Sequence, residues 1–462
     1  MLPHARRRSA GCPAIIAVSA ALWFAASAPA SAFALQDALA AAYQTNPQLV
    51  AARARLRATD EGVALANAQT RPSISTSASY GISRGSVTGI GTAFNSRPLV
   101  GQVTITQPIY SGGRIGAGID HANADVDAGR ADLVDTEQSV LLDAVQAYMD
   151  VLRDEAITRL NQDYVRTLQS RLDAVQTQHD AGMVTRTDVD QARARLSQAR
   201  AGATSAALQL SVSRAAFESV VGRPAETLDD AVIPPALPAT IDAALAVAAD
   251  ESPILTRARA QARASDYGVQ EAIGALLPQL SVSAQYQYLR DAAGTNIYAT
   301  SGVQQNMTVF GQLNIPIYQG GGEEAGVRRA EQLRAQAQAT VVSAERSVRQ
   351  GVENAWQTLA AMQVALGYNR AQARADQGAV DGVTQEQRGG ERSVLEILNA
   401  QEELLVAQVA VEASRHDSVL AAYRLLAATG RMNAHSLGLP VQLYDPRAYY
   451  EKNATAWFGL GD

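Results

Sequence analysis

The sequence predicts an α+β membrane protein in which four short strands per chain stand among much longer helices, the whole arrangement written twice. Three observations predict it: an internal repeat, four segments in which polar and apolar residues alternate, and helical stretches longer than an ordinary domain holds. The repeat pairs Leu39 with Leu245, Pro47 with Pro253 and Pro72 with Pro278 at a constant spacing of 206 residues. From Pro108-Ile109-Tyr110, which matches Pro316-Ile317-Tyr318, the spacing becomes 208. Gly112-Gly113 then matches Gly320-Gly321, Tyr148 matches Trp356, Gly182 matches Gly390 and Gly222 matches Gly430. A unit of this length is a duplicated half, not a solenoid module, whose period lies at roughly 20–50 residues.

Residues 1–32 read as a secretory signal peptide. Arg6-Arg7-Arg8 forms a positive n-region, 14–28 an apolar h-region, and Ala30-Ser31-Ala32 a small-residue cleavage site, so the mature chain is expected to start near Phe33. A membrane-spanning anchor needs about 18 or more uninterrupted apolar residues, and this run is shorter. The leader carries Cys12, the one cysteine, ahead of the h-region, where it is badly placed for acylation. The mature chain is therefore held without disulfides or thiolate metal sites. Without the three leader arginines, 36 basic residues face 45 acidic ones, a net charge near −9 that argues against nucleic acid as a partner. Hydrophobic content of 47% with only 5% aromatic residues suits long helices with narrow seams better than a thick core.

The first repeat spans 33–222, a Pro-rich linker 223–240, the second repeat 241–430, and a less regular, equatorial or partly disordered tail 431–462. Each repeat opens on a helix broken by a cap and a proline, Asn46-Pro47 in one and Ser252-Pro253 in the other, so a second helix is expected to start there. Pro72 and Pro278 end these helices. The period then changes to two. Ile74, Thr76, Ala78 and Tyr80 alternate with Ser73, Ser75, Ser77 and Ser79, and Val103 and Ile105 with Gln102, Thr104 and Thr106. In the second copy Val282, Ala284 and Tyr286 alternate with Ser283, Gln285 and Gln287; Met307, Val309 and Leu313 alternate with Asn306, Thr308 and Gln312, with Phe310 the exception. Strands are expected at about 73–84, 98–109, 279–289 and 305–317. One apolar and one Ser/Thr/Gln face is the pattern of a membrane barrel with a wet lumen, although a soluble half-buried sheet alternates likewise. The connections 85–97 and 290–304, rich in Gly, Ser, Thr and Asn, read as exposed tips. Tyr80, Tyr110, Tyr286, Tyr288 and Tyr318 fall where interfacial aromatics sit, and Pro108 and Pro316 mark strand ends.

Long helices follow at about 115–180 and 321–388, with apolar residues at spacings of three and four such as Leu141, Val145, Tyr148 and Leu152. At 1.5 Å per residue each is about 100 Å long. Each reaches a glycine turn, at Gly182 or Gly389-Gly390, and a return helix follows at about 187–220 or 393–429, giving antiparallel pairs packed like coiled coils. In hydrocarbon every backbone amide must be paired, so only helices and closed barrels span it. These helices are too polar, which leaves the strands. Four are too few, since bacterial barrels start at about eight, so several copies must share one barrel. Geometry permits two, three or more.

The order of helix pair, hairpin, long helix, glycine turn and return helix, duplicated in one secreted chain, resembles the TolC family of outer-membrane channel proteins. Pro316-Ile317-Tyr318-Gln319-Gly320-Gly321 at the strand-to-helix corner, the turns at Gly182 and Gly390, and Asn46-Pro47 carry the resemblance, which covers nearly the whole mature chain. It implies a homotrimer whose twelve strands form one transmembrane β-barrel in outer-membrane lipid. The barrel would be continued by a long antiparallel α-helical barrel through the periplasm to an adaptor (membrane fusion) protein and an inner-membrane transporter, of ABC or resistance-nodulation-division type. It also implies a periplasmic gate at Thr187, Asp188, Gln387 and Arg392, in which an Arg–carboxylate link would be a charge-assisted latch. Gln387 stands where the family has a tyrosine. Glu396 and Asn399 stand at an entrance ring that holds two aspartates in the best-matching members; three surviving carboxylates in a constriction would favour cations.

The inventory for catalysis is thin. Lys452 is the only lysine, so no phosphate-binding loop ending in Gly-Lys-Ser/Thr exists. His121, His179, His416 and His435 are scattered without metal-ligand spacing. Gly112-Gly113-Arg114-Ile115-Gly116 reads as a strand turning into a helix, not as a nucleotide loop. No enzyme, cofactor or metal is expected. The resemblance of the tail, Tyr444-Asp445-Pro446 to Trp457-Phe458-Gly459, points to type I protein secretion; multidrug or small-molecule efflux is the alternative. A trimeric structural coiled coil without a conduit, and a soluble periplasmic adaptor, are the readings outside the channel class.

Overall fold

The computed structural model describes residues 33–87, 92–230, 236–291, 302–389 and 391–459. The expected leader and Gly390 lie outside the described residues. Helix α1 (Leu35–Thr45) meets α2 (Pro47–Ala68) at Asn46, whose side chain accepts a hydrogen bond from the Gln48 backbone N–H at 2.9 Å while Pro47 occupies the first helical position. This satisfies one of the amide groups a helix start leaves unpaired. In the second copy α5 (Ile241–Glu251) meets α6 (Pro253–Gly274) at Ser252, also extended and followed by proline, but its hydroxyl forms no capping hydrogen bond. The expectation that Ser252 caps as Asn46 does is corrected to that extent.

Strands β1 (Ser73–Tyr80), β4 (Pro98–Ser111), β5 (Gln279–Asp291) and β6 (Val303–Asn314) form one antiparallel sheet in the order β1-β4-β5-β6. The register brings the alternation of each strand into phase with its neighbours. Ile74, Ile105, Ala284 and Val309 lie in one row across the sheet, and Thr76, Val103, Tyr286 and Met307 in another. The opposite face carries Ser75, Thr104, Gln285 and Thr308, then Ser77, Gln102, Gln287 and Asn306. A one-residue slip between any two strands would mix the faces, so this phasing is a property of the whole sheet. The apolar face is uncovered: Ile74 is 70% and Met307 74% exposed.

Two expectations about the strands need correction. The connection at 85–97 is not a plain tip, because β2 (Ser83–Val87) and β3 (Thr92–Ser96) pair as a two-stranded antiparallel hairpin. The chain thus holds the four-stranded sheet and this hairpin among its described residues. The fourth strand ends at Asn314, not near 317; Pro316 has no N–H to donate and cannot extend a ladder. By contrast β4 runs past Pro108 to Ser111 through a register irregularity between Pro108 and Tyr110.

Beneath the sheet, α2, α3 (Arg114–Asp180), α6 and α7 (Gly322–Arg388) stand in the same lateral order as the strands they adjoin. The corner at Gly112-Gly113 has φ of 64° and 79°, and Gly320-Gly321 has 67° and 81°. At Gly112 the left-handed backbone is joined by crowding, since a Cβ would sit 2.4 Å from the Gly274 carbonyl oxygen. The helices α3 and α7 are 67 residues each, about 100 Å at 1.5 Å per residue. Helix α4 (Arg186–Val221) returns along α3, and α8 (Val394–Ala428) along α7. No described helix is long and apolar enough to cross a membrane.

The largest core lies midway along the helices, where α1 and α2 cover the centre of α3 beside Phe217, Val221, Tyr423 and Met432. Fully buried Tyr148 holds its hydroxyl 2.8 Å from the backbone oxygens of both Phe33 and Asp229. It thereby pins the start of the described chain and the linker between halves to α3. Most of the tail, 431–447, runs in turns and bends without a helix or strand. It donates hydrogen bonds along the way, Ala434 N–H to Glu137 and Tyr444 N–H to Tyr43, and holds a short helix α9 (Ala448–Asn453) packed on α2.

Candidate functional site

Two regions carry chemistry beyond packing: the polar face of the sheet and the far ends of the helical hairpins. The polar face is a continuous array of hydroxyl and amide side chains. Within it Gln102 donates to Thr104 at 3.1 Å, and the Thr106 and Ser283 hydroxyls lie 3.3 Å apart. Phe310, the exception in the alternation, faces this side opposite Ser283 and is 42% exposed. Such a face accommodates water and polar solutes without fixing any one of them.

At the hairpin ends the two copies use one device. Gly182 closes the turn after α3 with φ of 75°, a conformation side chains with a Cβ resist. Thr185 then forms a capping box with Asp188: the Asp188 N–H donates to the Thr185 hydroxyl at 3.3 Å, and the Thr185 N–H to the Asp188 carboxylate at 2.9 Å. In the second copy Ser393 and Glu396 do the same, with distances of 3.3 and 2.8 Å. Both carboxylates satisfy backbone donors of a helix start and sit at the positive end of its dipole. Arg392 donates to Glu386 at 2.9 Å and to Glu396 at 2.7 Å. The Ser393 backbone N–H, with Arg392 beside it, holds the Glu396 carboxyl down at about 2.

The sequence-derived gate residues are thus brought to one end of the molecule, Asp188 and Arg392 each engaged within its own hairpin. Thr187 lies exposed in the first turn of α4, and Gln387 sits half-buried in the last turn of α7. Asp188 engages Thr185, and Arg392 engages Glu386 and Glu396. Glu396 therefore has its charge balanced inside the chain. Gly390, expected at the second turn, lies outside the described residues.

The link that joins the two hairpins was not expected. Arg195 on α4 donates to Glu402 on α8 and, at 3.0 Å, to the Asn399 side-chain oxygen, while Gln198 donates to Glu402 at 3.4 Å. Directly beside it Leu168, Leu172, Val189, Leu196, Val394 and Leu398 form a small separate core between α3, α4 and α8. Asn399 therefore has a defined partner, and the carboxylate lies three residues further on. A signal existed in the sequence: at the repeat spacing of 208, Arg195 corresponds to position 403, so opposite charges stand at near-equivalent places on the two return helices.

A second unexpected network is buried midway. His416 on α8 places Nε2 3.1 Å from Asp150 on α3, out of line for a hydrogen bond, and Nδ1 2.9 Å from Asp417. Arg153 contacts Asp150 and Asp154, each at 2.8 Å, and Ser213 on α4 donates to Asp154. Burial opposes protonation of His416, but Asp150 and Asp417 outweigh it and raise its pKa. Burial likewise works to raise Asp150, and His416 and Arg153 overcome it to leave Asp150 lowered. The network ties α3, α4 and α8 together at one level. Among the described residues no group of His, Cys, Asp and Glu is placed to hold a metal ion.

Comparison with known proteins agrees with this architecture. The profile of a family described as "Outer membrane efflux protein" matches residues 38–223 and again 244–431. The outer membrane efflux protein BepC of Brucella suis biovar 1 (strain 1330) is 35% identical over 426 residues, covering 92% of this chain and 91% of that protein. The outer membrane protein TolC of Escherichia coli (strain K12) is 24% identical over 407 residues, covering 85% and 81%. Among solved structures, a membrane protein from Pseudomonas aeruginosa superposes with a TM-score of 0.76 at 17% identity, covering 86% of this chain and 93% of that one. The CmeC outer membrane channel of Campylobacter jejuni does so with 0.75 at 15% identity, covering 91% and 89%.

Proposed function

Because this chain belongs to the outer membrane efflux protein family of TolC-like channels, located in the outer membrane and extending into the periplasm, we propose that it is the exit duct of a tripartite export system. Three copies would place twelve strands in one barrel and continue it as a helical tube, through which substrate passes passively from an inner-membrane transporter and its adaptor. One observation carries this reading: a four-stranded sheet with one mainly apolar and one mainly polar face, whose outer strands β1 and β6 each have a single neighbour. Bare edges in lipid leave backbone groups unpaired, so the sheet needs sister copies to close it. The polar face then lines the lumen and the apolar face meets lipid. The matched glycine corners and equal long helices support an origin by duplication, with repeats at 33–222 and 241–430 joined by the linker 223–240 and followed by the tail 431–462.

The hairpin ends form the periplasmic gate in this reading. Thr187 and Asp188 stand beside the turn at Gly182, Gln387 and Arg392 stand where α7 gives way to α8, and Glu396 and Asn399 line the entrance. The Arg195–Glu402 link adds the tie between hairpins. For the cargo, type I protein secretion is the first reading, resting on the tail from Tyr444 to Gly459; small-molecule efflux is the second, favoured by the name of the BepC relative, an efflux protein. Deleting the gene separates them. Loss of a secreted protein from the culture medium supports the first, and normal secretion with heightened sensitivity to toxic compounds supports the second. A protein without a conduit would give no defined conductance steps in a planar bilayer.

A further inference from the structure

The tail climbs toward the membrane end of the molecule. Tyr449 donates to Glu61 at 2.7 Å, Ala454 packs on Val63 and Val126, and Asn67 donates to the Ala454 oxygen at 2.9 Å. Arg71 then donates to the Thr455 oxygen at 2.9 Å and to that of Ala456, and its guanidinium lies 4.7 Å from the centre of the Trp457 ring. The partners advance along α2 and the turn that follows it in the same order as the tail residues, over roughly 10 Å of helix and three residues beyond it, and stop two residues before β1. Trp457 and Phe458 are delivered to the helix-to-strand corner, where they are 62% and 94% exposed. Two adjacent large aromatic rings held in water by a well-anchored segment need an apolar partner.

The same level holds other uncovered apolar side chains, Ile74 at the foot of β1 and Ile317 and Tyr318 beyond β6, the last two 93% and 78% exposed. The tail's position selects the side. Helix α3 meets α2 at Gly129 and α6 through His121 and Asp132, whereas Asn123, Val126 and Arg130 meet the tail. At roughly 100° per residue, the first set spans one side of α3 and the tail set the opposite sector, flanked by α2, whose Val63 also packs on Val126, and by α6, whose Arg263 reaches Asp127 at 3.1 Å. A wall curving toward the side where α3 touches both neighbours leaves the tail on its outer surface. The tail also lies across α2 and α3 and not beyond the free edge of β1, where a neighbouring copy would stand.

We infer that Trp457 and Phe458 form a foot that inserts into the headgroup and upper acyl region of the phospholipid leaflet facing the periplasm, fixing how deep the barrel sits. Tryptophan suits that depth because its ring is apolar while its N–H stays wet, and Arg71 would place its charge at the phosphate level. The inference rests on the barrel reading above.

The test uses the full chain, purified in detergent and reconstituted in phosphatidylcholine vesicles containing lipid brominated near the headgroup end of the acyl chains. Trp356→Phe leaves Trp457 as the sole tryptophan of the chain that follows the leader. Its emission should be largely lost to brominated lipid and little affected by acrylamide. Quenching by acrylamide without a response to bromine would overturn the inference, placing the tail in water or in the duct. Resistance to both would also overturn it, placing the tail under a neighbouring copy. A Val309→Trp reporter with all native tryptophans replaced by phenylalanine, or Ile105→Trp if that chain does not assemble, separates the two readings. A bromine-quenched sheet reporter beside an indifferent Trp457 defeats the tail inference alone; indifference of both defeats the barrel.

Discussion

In the proposed duct, removing Arg195 should loosen the closed end by an amount that the geometry lets one estimate. Its side chain is 27% exposed and that of Glu402 is 35% exposed, so the pair is neither fully solvated nor dry. A hydrogen bond to a charged group contributes about 1.5–3 kcal/mol when shielded, and an exposed ion pair about 0.2–1. Discounting for solvent, about 1 kcal/mol per chain is reasonable, Asn399 and Gln198 included. If three copies close one gate and the link is broken in the open form, the closed state loses about 3 kcal/mol, which moves the open-to-closed ratio roughly a hundredfold at 1.36 kcal/mol per decade. Arg195→Ala should therefore raise basal conductance in planar bilayers, and Glu402→Gln should act alike. The charge-swapped double variant Arg195→Glu, Glu402→Arg should fall nearer to wild type than either single change. Basal conductance of Arg195→Ala equal to wild type, or a swap no closer than the single variants, would remove this pair from the gate.

Asp188→Ala and Arg392→Ala should also raise basal conductance. Arg392→Ala should in addition increase cation selectivity, read from reversal potentials in a salt gradient, because it leaves Glu396 unbalanced; unchanged closed-state conductance in both variants would remove the latch. His416 makes stability depend on pH. Since its pKa is raised on folding, its contribution is complete below its unfolded value of about 6.5 and is lost as pH rises through the folded value. Asp150, lowered on folding, contributes above about 4 and loses that contribution only in acid. The Tm difference between wild type and His416→Asn should thus be largest between about pH 4.5 and 6 and shrink above it; a difference flat across that range would contradict the ion-pair account. On the sheet, Val309→Arg should reduce assembly, with a cost of about 2–4 kcal/mol if it faces mid-bilayer, whereas Thr308→Arg should assemble and alter ion selectivity. Equal behaviour of the two in heat-resistance gels would refute the assignment of faces.

The strand period, the Asn46 cap and the Gly182 turn were legible because each is a local rule; the Ser252 cap, read by the same rule, does not form. The phase of each strand follows from its own alternation, and the break at Asn46-Pro47 and the turn at Gly182 follow from backbone chemistry. The hairpin of β2 and β3 was not legible, since 85–97 has turn composition and no clear alternation; its pairing is set by the strands that feed it. The end of β6 was placed too late because Ile315 and Ile317 continue the apolar rhythm past the point where Pro316 stops the ladder. Arg195, Glu402 and the His416 network escaped for another reason: their partners lie on other helices, brought together only by packing. The tail read as less regular because its order comes from contacts with α2 and α3, not from its own helix propensity.

The symmetry of the detergent-purified particle tests the shared barrel most directly. Electron microscopy should show three copies around one axis, a barrel of twelve strands at one end and a helical tube of about 100 Å below it. A monomer, or the four strands packed inside a water-soluble body, would contradict it.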